Sequence, residues 1–286
     1  MKKIYFAICF TLALTACSDN FLDISPNGSV TDDAVWSSAS STKMFINDVY
    51  NETLTGPLYS FTGFNGTYSF DYFATDDMAE NNISWNELNF TASNAPFERW
   101  TPCYTNIRKS NLGLENVAAS NALSEAEKDR FLGDLHFLRG LQYLELFRFY
   151  GGVPLIKKTL DRNGEEEIAY ARNTPAETLD FIVSEFELAA EKLPVTVDPV
   201  EYGRATKGAA LGMKAVALLH GGGTVDPKYY ADAATAANVF IDGELKGRYE
   251  LFGKNETDPL KKREAFINLF LEPYEGNEEV IFDVQY

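Results

Sequence analysis

The sequence predicts an all-α fold built from stacked antiparallel helix pairs, as in helical-repeat proteins. Apolar residues recur every three or four positions in several long segments, which is the spacing of one helix face. Two segments begin with Ser or Thr followed three residues later by Glu, the pattern of a capping box. Because short turns connect the helices, we expect consecutive helices to pack side by side in opposite directions.

Residues 1–16 have the composition of a secretory signal peptide. Two lysines precede an apolar run over residues 4–14, shorter than the ~20 residues of a membrane-spanning helix. The run leads into L-T-A-C at residues 14–17, which resembles the lipobox of bacterial lipoproteins. The resemblance implies that Cys17 becomes the acylated first residue of the mature protein. A secreted domain that merely begins at Cys17, or a short buried helix, is the alternative interpretation.

Residues 17–31 are predicted to form the lipidated N-terminus and a polar tether, and residues 32–286 the helical domain. The tether contains the turn signal P-N-G at residues 26–28. The residue directly after the cysteine is Ser18 and not an aspartate, and this pattern suggests sorting to the outer membrane. We therefore expect a lipid-anchored protein of the outer membrane, exposed at the cell surface.

The first two predicted helices differ in clarity. Residues 32–55 have a loose apolar pattern. The next helix has a clear stripe, in which we expect a single polar residue, Asn111, to bond a neighbouring backbone. The stripe consists of Phe97, Trp100, Tyr104, Ile107, Asn111, Leu114 and Val117.

The two capping boxes begin the next pair of helices. S-E-A-E at residues 124–127 opens a helix that runs to about Tyr150. T-P-A-E at residues 174–177 opens the following helix, with its proline at the first helical position. The Leu-Pro pair at residues 193–194 is expected to stop that helix.

Two further helices are predicted from small residues and caps. The first follows Thr206 and is expected to end at about His220, because glycines occupy residues 221–223. The second is expected to begin at the D-P pair 226–227 and to close at Gly243. Its predicted inward residues are Tyr230, Ala233, Ala234, Ala237 and Ile241. Close helix contact is predicted at Ala205, Gly208, Ala209 and Gly212.

Two segments are predicted to be extended, as small β-hairpin or loop insertions. Residues 59–73 hold seven aromatic residues, with Tyr68 and Tyr72 in strand-like alternation and an N-G turn at 65–66. Residues 280–286 also alternate in the manner of a strand. Because an unpartnered strand is an exposed edge, we expect a partner segment beyond Tyr286.

Charge and cysteine content argue against several classes of function. The net charge of −17 becomes −19 once the two lysines of the signal are removed, and such a chain repels nucleic acid and anionic lipid. His136 and His220 are far apart in sequence, and Cys103 is the one cysteine outside the first 17 residues. No metal site, catalytic triad, cofactor or internal disulfide is therefore expected.

Seven stretches of sequence, in their order and spacing, resemble one known family. They are C-S-D-N-F-L-D-I-S-P at 17–26, W-x3-Y-x2-I-x3-N at 100–111, F-L-R-G-L-Q-Y-L-E-L-F-R-F-Y-G-G-V-P-L at 137–155, R-x-T-P-x-E at 172–177, L-P at 193–194, G-R-A-T-K-G-A-A at 203–210 and E-E-V-I-F-D-V-Q-Y at 278–286. Together they resemble the SusD/RagB family, nutrient-binding outer-membrane lipoproteins of Bacteroidetes.

The resemblance implies both a fold and a role. The fold would be mostly helical, with helix pairs like tetratricopeptide repeats, in a chain longer than this one. The role would be non-catalytic: capture of an oligosaccharide, or of a peptide in some members, at the cell surface. The implied partner is a SusC-like TonB-dependent β-barrel transporter, over which the lipoprotein sits as a lid.

The candidate ligand-binding residues come from composition. A sugar site needs aromatic plates flanked by amides and carboxylates, and residues 76–86 have that composition. The candidates are Trp85, Asn82 and Asn86, with Tyr68 and Tyr72 behind them. Each has an alternative interpretation as a packing residue. Arg139 and Arg204 match family positions and are interpreted as structural, paired with helix ends or carboxylates.

Two other functions compete with nutrient binding. Asp76, Asp77 and Glu80 could act as the paired carboxylates of a glycoside hydrolase, although no spacing singles out a suitable acid. A helical superhelix could also serve as a scaffold that binds a protein segment. Detection of new reducing ends would favour the hydrolase, and binding of a protein partner alone would favour the scaffold.

Substitution of Cys17 tests the predicted anchor. In a host that processes bacterial lipoproteins, we expect radioactive palmitate to label the native protein and Cys103→Ser, but not Cys17→Ser. The reason is that the lipobox resemblance assigns the acyl chains to Cys17. Stable anchoring takes at least two such chains, and each buried methylene contributes about 0.8 kcal/mol. Native protein that stays unlabelled, or that is recovered from the periplasmic extract, would contradict the prediction.

Overall fold

A computed structural model describes residues 32–54, 99–161, 169–271 and 276–283. Regular structure in these ranges is helical, without a strand, which confirms the predicted all-α class. The helices are α1 (Asp32–Val35), α2 (Ala39–Leu54), α3 (Trp100–Ala119), α4 (Glu125–Tyr150), α5 (Pro175–Lys192), α6 (Lys207–Thr224), α7 (Tyr229–Ile241) and α8 (Pro259–Asn268). A 3-10 turn, Pro199–Glu201, lies between α5 and α6.

Consecutive helices from α3 to α7 pack in opposite directions, as predicted. In the α4–α5 pair, the Phe137 and Phe186 rings lie 6.0 Å apart and the Tyr143 and Phe181 rings 5.0 Å apart. The later residue of α4 thus contacts the earlier residue of α5. The same reversal occurs in the α3–α4 pair, where Trp100 lies near Tyr150 and Gly113 near Leu135. In the α5–α6 pair, Glu187 contacts Lys214 and Leu179 contacts Gly221. In the α6–α7 pair, Gly222 lies near Tyr230 and Gly212 near Phe240.

The ends of this layer of helices are less buried than its middle. Helix α4 contributes the largest buried set, which includes Leu135, Phe137, Leu138 and Leu146. Helix α8, by contrast, has no buried residue; Phe266 on it is 63% exposed, and Phe270, just after its end, is 72% exposed. The hydrophobic core is therefore centred on α4 and its neighbours.

The predicted first helix is divided in two. Residues 36–38 interrupt it, and the Ser41 amide donates a hydrogen bond of 3.2 Å to Ser38 Oγ. Thr42 Oγ1 also donates to the Val35 carbonyl, at 3.1 Å. Serine and threonine side chains that bond nearby backbone groups compete with helical hydrogen bonds, which explains the break.

Both predicted capping boxes are confirmed. Ser124 Oγ accepts from the Glu127 amide, and Glu127 Oε2 accepts from the Ser124 amide at 2.8 Å. Thr174 and Glu177 form the same reciprocal pair, with Pro175 at the first helical position. The predicted ends of these two helices, near Tyr150 and before the Leu-Pro pair at 193–194, are also confirmed.

The prediction that glycines end α6 near His220 is wrong. The helix continues through residues 221–223 to Thr224, and none of these glycines has a positive φ. A Cβ on Gly221 would lie 2.2 Å from Leu179 Cδ2, and one on Gly222 would lie 2.6 Å from the Tyr230 ring. These glycines therefore allow α5 and α7 to approach α6 closely.

The predicted inward face of α7 is also wrong in part. The helix begins at Tyr229, because Asp226 accepts from the Lys228 amide at 2.9 Å and so holds the turn before it. Tyr229, Ala233 and Ala236 are buried, whereas Ala234, Tyr230 and Ile241 are exposed. The buried positions 229, 233 and 236 lie one residue before the predicted 230, 234 and 237, and one residue is 100° of helix rotation, so the predicted positions turn away from the core.

The small residues at the start of α6 contact a loop as well as helices. Ala205 and Ala209 are buried, and a Cβ on Gly208 would lie 2.3 Å from the Tyr249 hydroxyl. Tyr249 follows α7 in the chain, outside any helix. A Cβ on Gly212 would have ordinary contacts, the nearest being Phe240 at 3.7 Å. Gly208 is thus a point of close approach, but to a loop residue and not to a helix, and the predicted close helix contact is not found at Gly212.

The predicted terminal strand is not formed over residues 280–283. The Val280 amide donates to the Asn277 carbonyl at 3.1 Å, which makes a turn. Phe282 then packs edge-on against Phe137, with ring centroids 5.2 Å apart. The apolar alternation in this segment therefore reflects a turn followed by an aromatic anchor on the helical core. Val284 and Tyr286 lie outside the described residues, as do residues 59–73.

The buried face of α3 is more polar than predicted. Asn106 and Ser110 are buried in addition to Asn111, so the expectation of a single polar residue is wrong. Ile107 is buried and Trp100 packs against the core, in agreement with the stripe.

Arg139 and Asn111 join α3, α4 and α5 to residues 153–160. Arg139 donates through Nε and Nη2 to the Glu185 carboxylate, both at 2.7 Å, and through Nη1 to Asn111 Oδ1 at 2.6 Å. Asn111 Nδ2 donates to the carbonyls of Ile156 and Lys158 at 2.9 and 3.0 Å. This arrangement confirms that Asn111 bonds backbone and that Arg139 pairs with a carboxylate.

Glu185 is a buried carboxylate whose partners favour its charged form. Burial alone would raise the pKa of Glu185. The hydrogen bonds from His136, at 3.1 Å, and from Arg139 outweigh burial, so the pKa of Glu185 lies below its usual value of 4.5. A folded-state pKa below the unfolded-state pKa means that ionised Glu185 stabilises the fold above about pH 4.5. This contribution is lost as the pH falls through the folded-state pKa.

Glu185→Gln is expected to lower the free energy of unfolding by roughly 3 kcal/mol at pH 7, because Arg139 loses its buried counter-charge. The difference from the native protein should shrink as the pH falls below 4.5. Urea unfolding at a series of pH values measures both. The matched control is Glu187→Gln on the same helix, whose ion pair with Lys214 is exposed and contributes under ~1 kcal/mol. A Glu185→Gln difference that stays constant with pH would refute this assignment.

Gly221→Ala is expected to lower the free energy of unfolding by about 1–3 kcal/mol, because the added methyl overlaps Leu179. Gly223→Ala, two residues along the same helix, is the control. Its Cβ would have Tyr230 Oη as the nearest atom, at 3.4 Å, and the higher helix propensity of alanine favours it by up to ~1 kcal/mol. Thermal denaturation of both variants compares them, and equal melting temperatures would disprove the close contact.

A candidate ligand-binding site around Arg204

The binding residues predicted from sequence lie outside the described residues. This holds for Trp85, Asn82, Asn86, Tyr68, Tyr72 and the lipidation candidate Cys17. They remain predictions. A different set of polar residues, centred on Arg204, forms the candidate site of the described chain.

Asp134 is a completely buried carboxylate with three side-chain partners. Arg204 Nη1 lies 2.6 Å from its Oδ2, and Arg130 Nη2 lies 3.0 Å from its Oδ1. The Tyr50 hydroxyl donates to the same Oδ1 at 2.6 Å. A buried charge without such partners would be strongly destabilising. Asp134 thereby connects α2 and α4 to the segment that precedes α6.

Burial and mutual contact also shift the pKa values of Tyr50 and Asp134. Burial raises the pKa of the Tyr50 phenol well above its usual value, and the negative charge of Asp134 raises it further. Tyr50 therefore keeps its proton, and its oxygen also accepts from the Ala205 amide at 3.0 Å. Burial likewise raises the pKa of Asp134, while the charges of Arg130 and Arg204 oppose that shift.

Arg204 has further partners that hold its guanidinium in place. Its Nε lies 2.7 Å from Glu201 Oε2, and its Nη2 donates to the side-chain oxygen of Asn47. The guanidinium also lies over the Tyr50 ring, 5.2 Å from the centroid. The preceding residue, Gly203, has a φ of +89°, a conformation that glycine adopts without strain. The interpretation of Arg204 as paired with carboxylates is thus confirmed.

Three hollows surround the loop formed by residues 194–206, and Arg204 lines all of them. The largest, of about 480 Å³, lies between α2 and residues 200–204. A second, of about 300 Å³, lies beside Arg130 and Phe131. The third, also about 300 Å³, opens towards residues 276–283. These volumes are at the lower end of the ~300–1,000 Å³ typical of small-ligand sites.

The side chains around Arg204 are hydrogen-bonding groups. The described residues contain no group of three or more His, Cys, Asp or Glu side chains placed to hold a metal ion. Among the described helices, none combines the length and the apolar character needed to span a bilayer. The site offers paired cations, carboxylates, amides and two tyrosines, a set that forms hydrogen bonds with polar ligands.

The sequence pattern singled out Arg204 but missed the hollow beside it. Lys43, Asn47, Tyr50 and Leu54 line the largest hollow, at steps of three and four along α2. That spacing is visible in the sequence and could have identified the face. Its partner, the 3-10 turn Pro199–Glu201, lies more than 140 residues later in the chain, and no local pattern connects the two.

The profile of one protein family matches most of the chain. The sequence profile of a SusD-like family, described as starch-binding and associating with the outer membrane, matches residues 20–218. A SusD-like protein of Formosa agariphila is 23% identical over the whole chain, which covers 54% of that protein. One from Bacteroides ovatus is 27% identical over 79% of the chain and 42% of its own length. The chain thus spans about half the length of these relatives.

Solved structures show the same fold. The crystal structure of a SusD-like protein from Bacteroides fragilis matches with a TM-score of 0.68 and 29% identity, covering 92% of this chain and 47% of that one. A surface glycan-binding protein from Bacteroides thetaiotaomicron matches with a TM-score of 0.66 over 88% of this chain and 50% of its own. Its identity of 17% makes that second likeness one of fold alone.

Proposed function

Because the chain belongs to the SusD-like family, we propose that it is a cell-surface nutrient-binding lipoprotein that captures oligosaccharides. The observation that carries this proposal is the profile match over residues 20–218, whose description is a starch-binding, outer-membrane-associated family. The aromatic-rich composition, with 15 Tyr and 21 Phe, and the net charge of −17 fit a neutral ligand better than an anionic one.

In this proposal, the protein delivers its ligand to a SusC-like TonB-dependent barrel in the outer membrane. Acylation at Cys17 would hold the helical domain at the same membrane as the transporter. The polar tether of residues 17–31 would leave the domain free to open and close over the barrel as a lid. A peptide in place of an oligosaccharide is the second candidate ligand, since some members of the family bind peptides.

The proposed role is binding without catalysis. A glycoside hydrolase needs one carboxylic acid with a raised pKa and a second carboxylate at about 5–10 Å, both facing the substrate. The three buried carboxylates of the described residues, Asp134, Glu145 and Glu185, all pair with arginines. They support the fold instead. Asp76, Asp77 and Glu80 lie outside the described residues.

Within this proposal, the main sugar contact is Trp85. Its indole would stack on the apolar face of a sugar ring, and the amides of Asn82 and Asn86 would bond the hydroxyl groups. Tyr68 and Tyr72 would extend the aromatic surface. The support is compositional: residues 76–86 combine an aromatic ring with amides and carboxylates in a short segment.

Calorimetry of the chain from Asp19 to Tyr286 against neutral glycans and peptides tests the proposal. We expect a glycan to bind, and Trp85→Ala to weaken binding by ~1–3 kcal/mol, about 5- to 150-fold, by analogy with base stacking. Tyr170→Ala, which removes an aromatic ring that is 42% exposed, is the control and should bind like the native chain. Binding of peptides alone would reject the glycan, and new reducing ends during incubation would show a hydrolase.

A further inference from the structure

The largest hollow beside Arg204 has two walls of different origin. We name it the α2 hollow; it is lined by Lys43, Asn47, Tyr50, Asn51 and Leu54 on one side and by residues 200–204 on the other. On the α2 side, Tyr50 and Leu54 are buried like the neighbouring core positions Ile46 and Val49. The helix presents the polar side chains of Lys43, Asn47 and Asn51 to the α2 hollow, while its buried residues anchor it.

The cations that line the α2 hollow are already paired with carboxylates. Lys43 pairs with Glu201, and Arg204 pairs with both Glu201 and the buried Asp134. An anionic ligand would have to compete with these carboxylates, so the α2 hollow does not favour it. A neutral ligand with many hydroxyl groups can instead bond the outer edges of the same pairs, where charged partners form the stronger hydrogen bonds.

Exposed side chains with apolar surface lie directly beside these ion pairs. Val200 is 87% exposed and Tyr202 is 41% exposed, and both line the α2 hollow. Such exposure of apolar side chains next to amides and a carboxylate matches the two-sided chemistry of a sugar, which has an apolar ring face and a polar edge. A purely hydrophobic ligand would leave the polar side chains of the α2 hollow without hydrogen-bond partners. A purely ionic ligand would gain nothing from contact with Val200 and Tyr202.

The wall formed by residues 200–204 is fixed before any ligand arrives. Asp198 begins the turn, since its carboxylate accepts from the Val200 amide at 3.1 Å and its carbonyl from the Glu201 amide at 2.8 Å. Gly203 supplies the positive φ that ends the turn, and Arg204 is held by its partners on α2 and α4. A site that is rigid in the free protein loses little conformational entropy on binding.

From these observations we propose that the α2 hollow is a saccharide subsite that holds one or two sugar units of a neutral glycan. The inference rests on the proposed glycan-binding function and adds a location to it. A volume of about 480 Å³ limits it to a short stretch of the ligand. If a longer glycan in the α2 hollow also contacts a second set of residues, the linked contacts raise its affinity beyond that of either contact alone.

Calorimetry with a length series of one neutral oligosaccharide tests the subsite. We expect Tyr202→Ala to weaken binding of the longest oligosaccharide about 5- to 20-fold, within the range of ~1–3 kcal/mol for loss of a stacking ring. Binding of the shortest oligosaccharide that still binds should change less than twofold. Tyr202→Phe keeps the ring and should lose much less affinity for the longest oligosaccharide than Tyr202→Ala does. Tyr170→Ala serves as the exposed aromatic control, and thermal denaturation verifies that each variant is folded.

The outcomes separate this inference from the proposed function. If no glycan binds the native chain, the function itself fails. If glycans bind and Trp85→Ala weakens them, but folded Tyr202→Ala binds every length like the native chain, the α2 hollow is not a subsite and the function stands. A folded Tyr202→Ala that loses binding of a peptide instead of a glycan would also overturn the saccharide assignment. Density for a sugar beside Tyr202 in crystals grown with the longest oligosaccharide would support it directly.

Discussion

The carboxylate of Asp134 is the interaction on which the candidate site depends. It lies completely inside the protein and is reached by Tyr50 from α2, by Arg130 from its own helix and by Arg204 from the segment before α6. Removing one partner from a buried ion pair costs about 3–5 kcal/mol, because the remaining charge stays uncompensated. The same contacts that satisfy this charge therefore also fix both walls of the α2 hollow.

Local chemistry made much of the fold predictable. The boxes that begin at Ser124 and Thr174 are complete within four residues, so the sequence alone identified the start of two helices. Where the prediction failed, a neighbouring helix decided the outcome. Gly221 lies inside α6, where the absence of a side chain leaves room for Leu179 on α5. No sequence pattern near residue 221 contains that information.

The site was less predictable than the fold, for the same reason. The sequence assigned Arg204 a carboxylate partner, but that partner, Asp134, lies 70 residues earlier in the chain. The walls of the α2 hollow are still further apart, since Lys43 and Glu201 are separated by 158 residues. Aromatic and amide composition could suggest the segment around Trp85, but a hollow made by tertiary contact leaves no compositional trace.

The bare surface of α8 shows how this layer of helices divides its stability. Where each helix is held chiefly by its neighbours, the free energy of unfolding is a sum of local contributions rather than a single shared quantity. Among the described residues, α8 adds no buried side chain to that sum, whereas α4 adds the largest set. A substitution in α4 therefore reaches every neighbour that packs against it, while a substitution at an exposed position of α8 leaves the contacts of Asp134 unchanged.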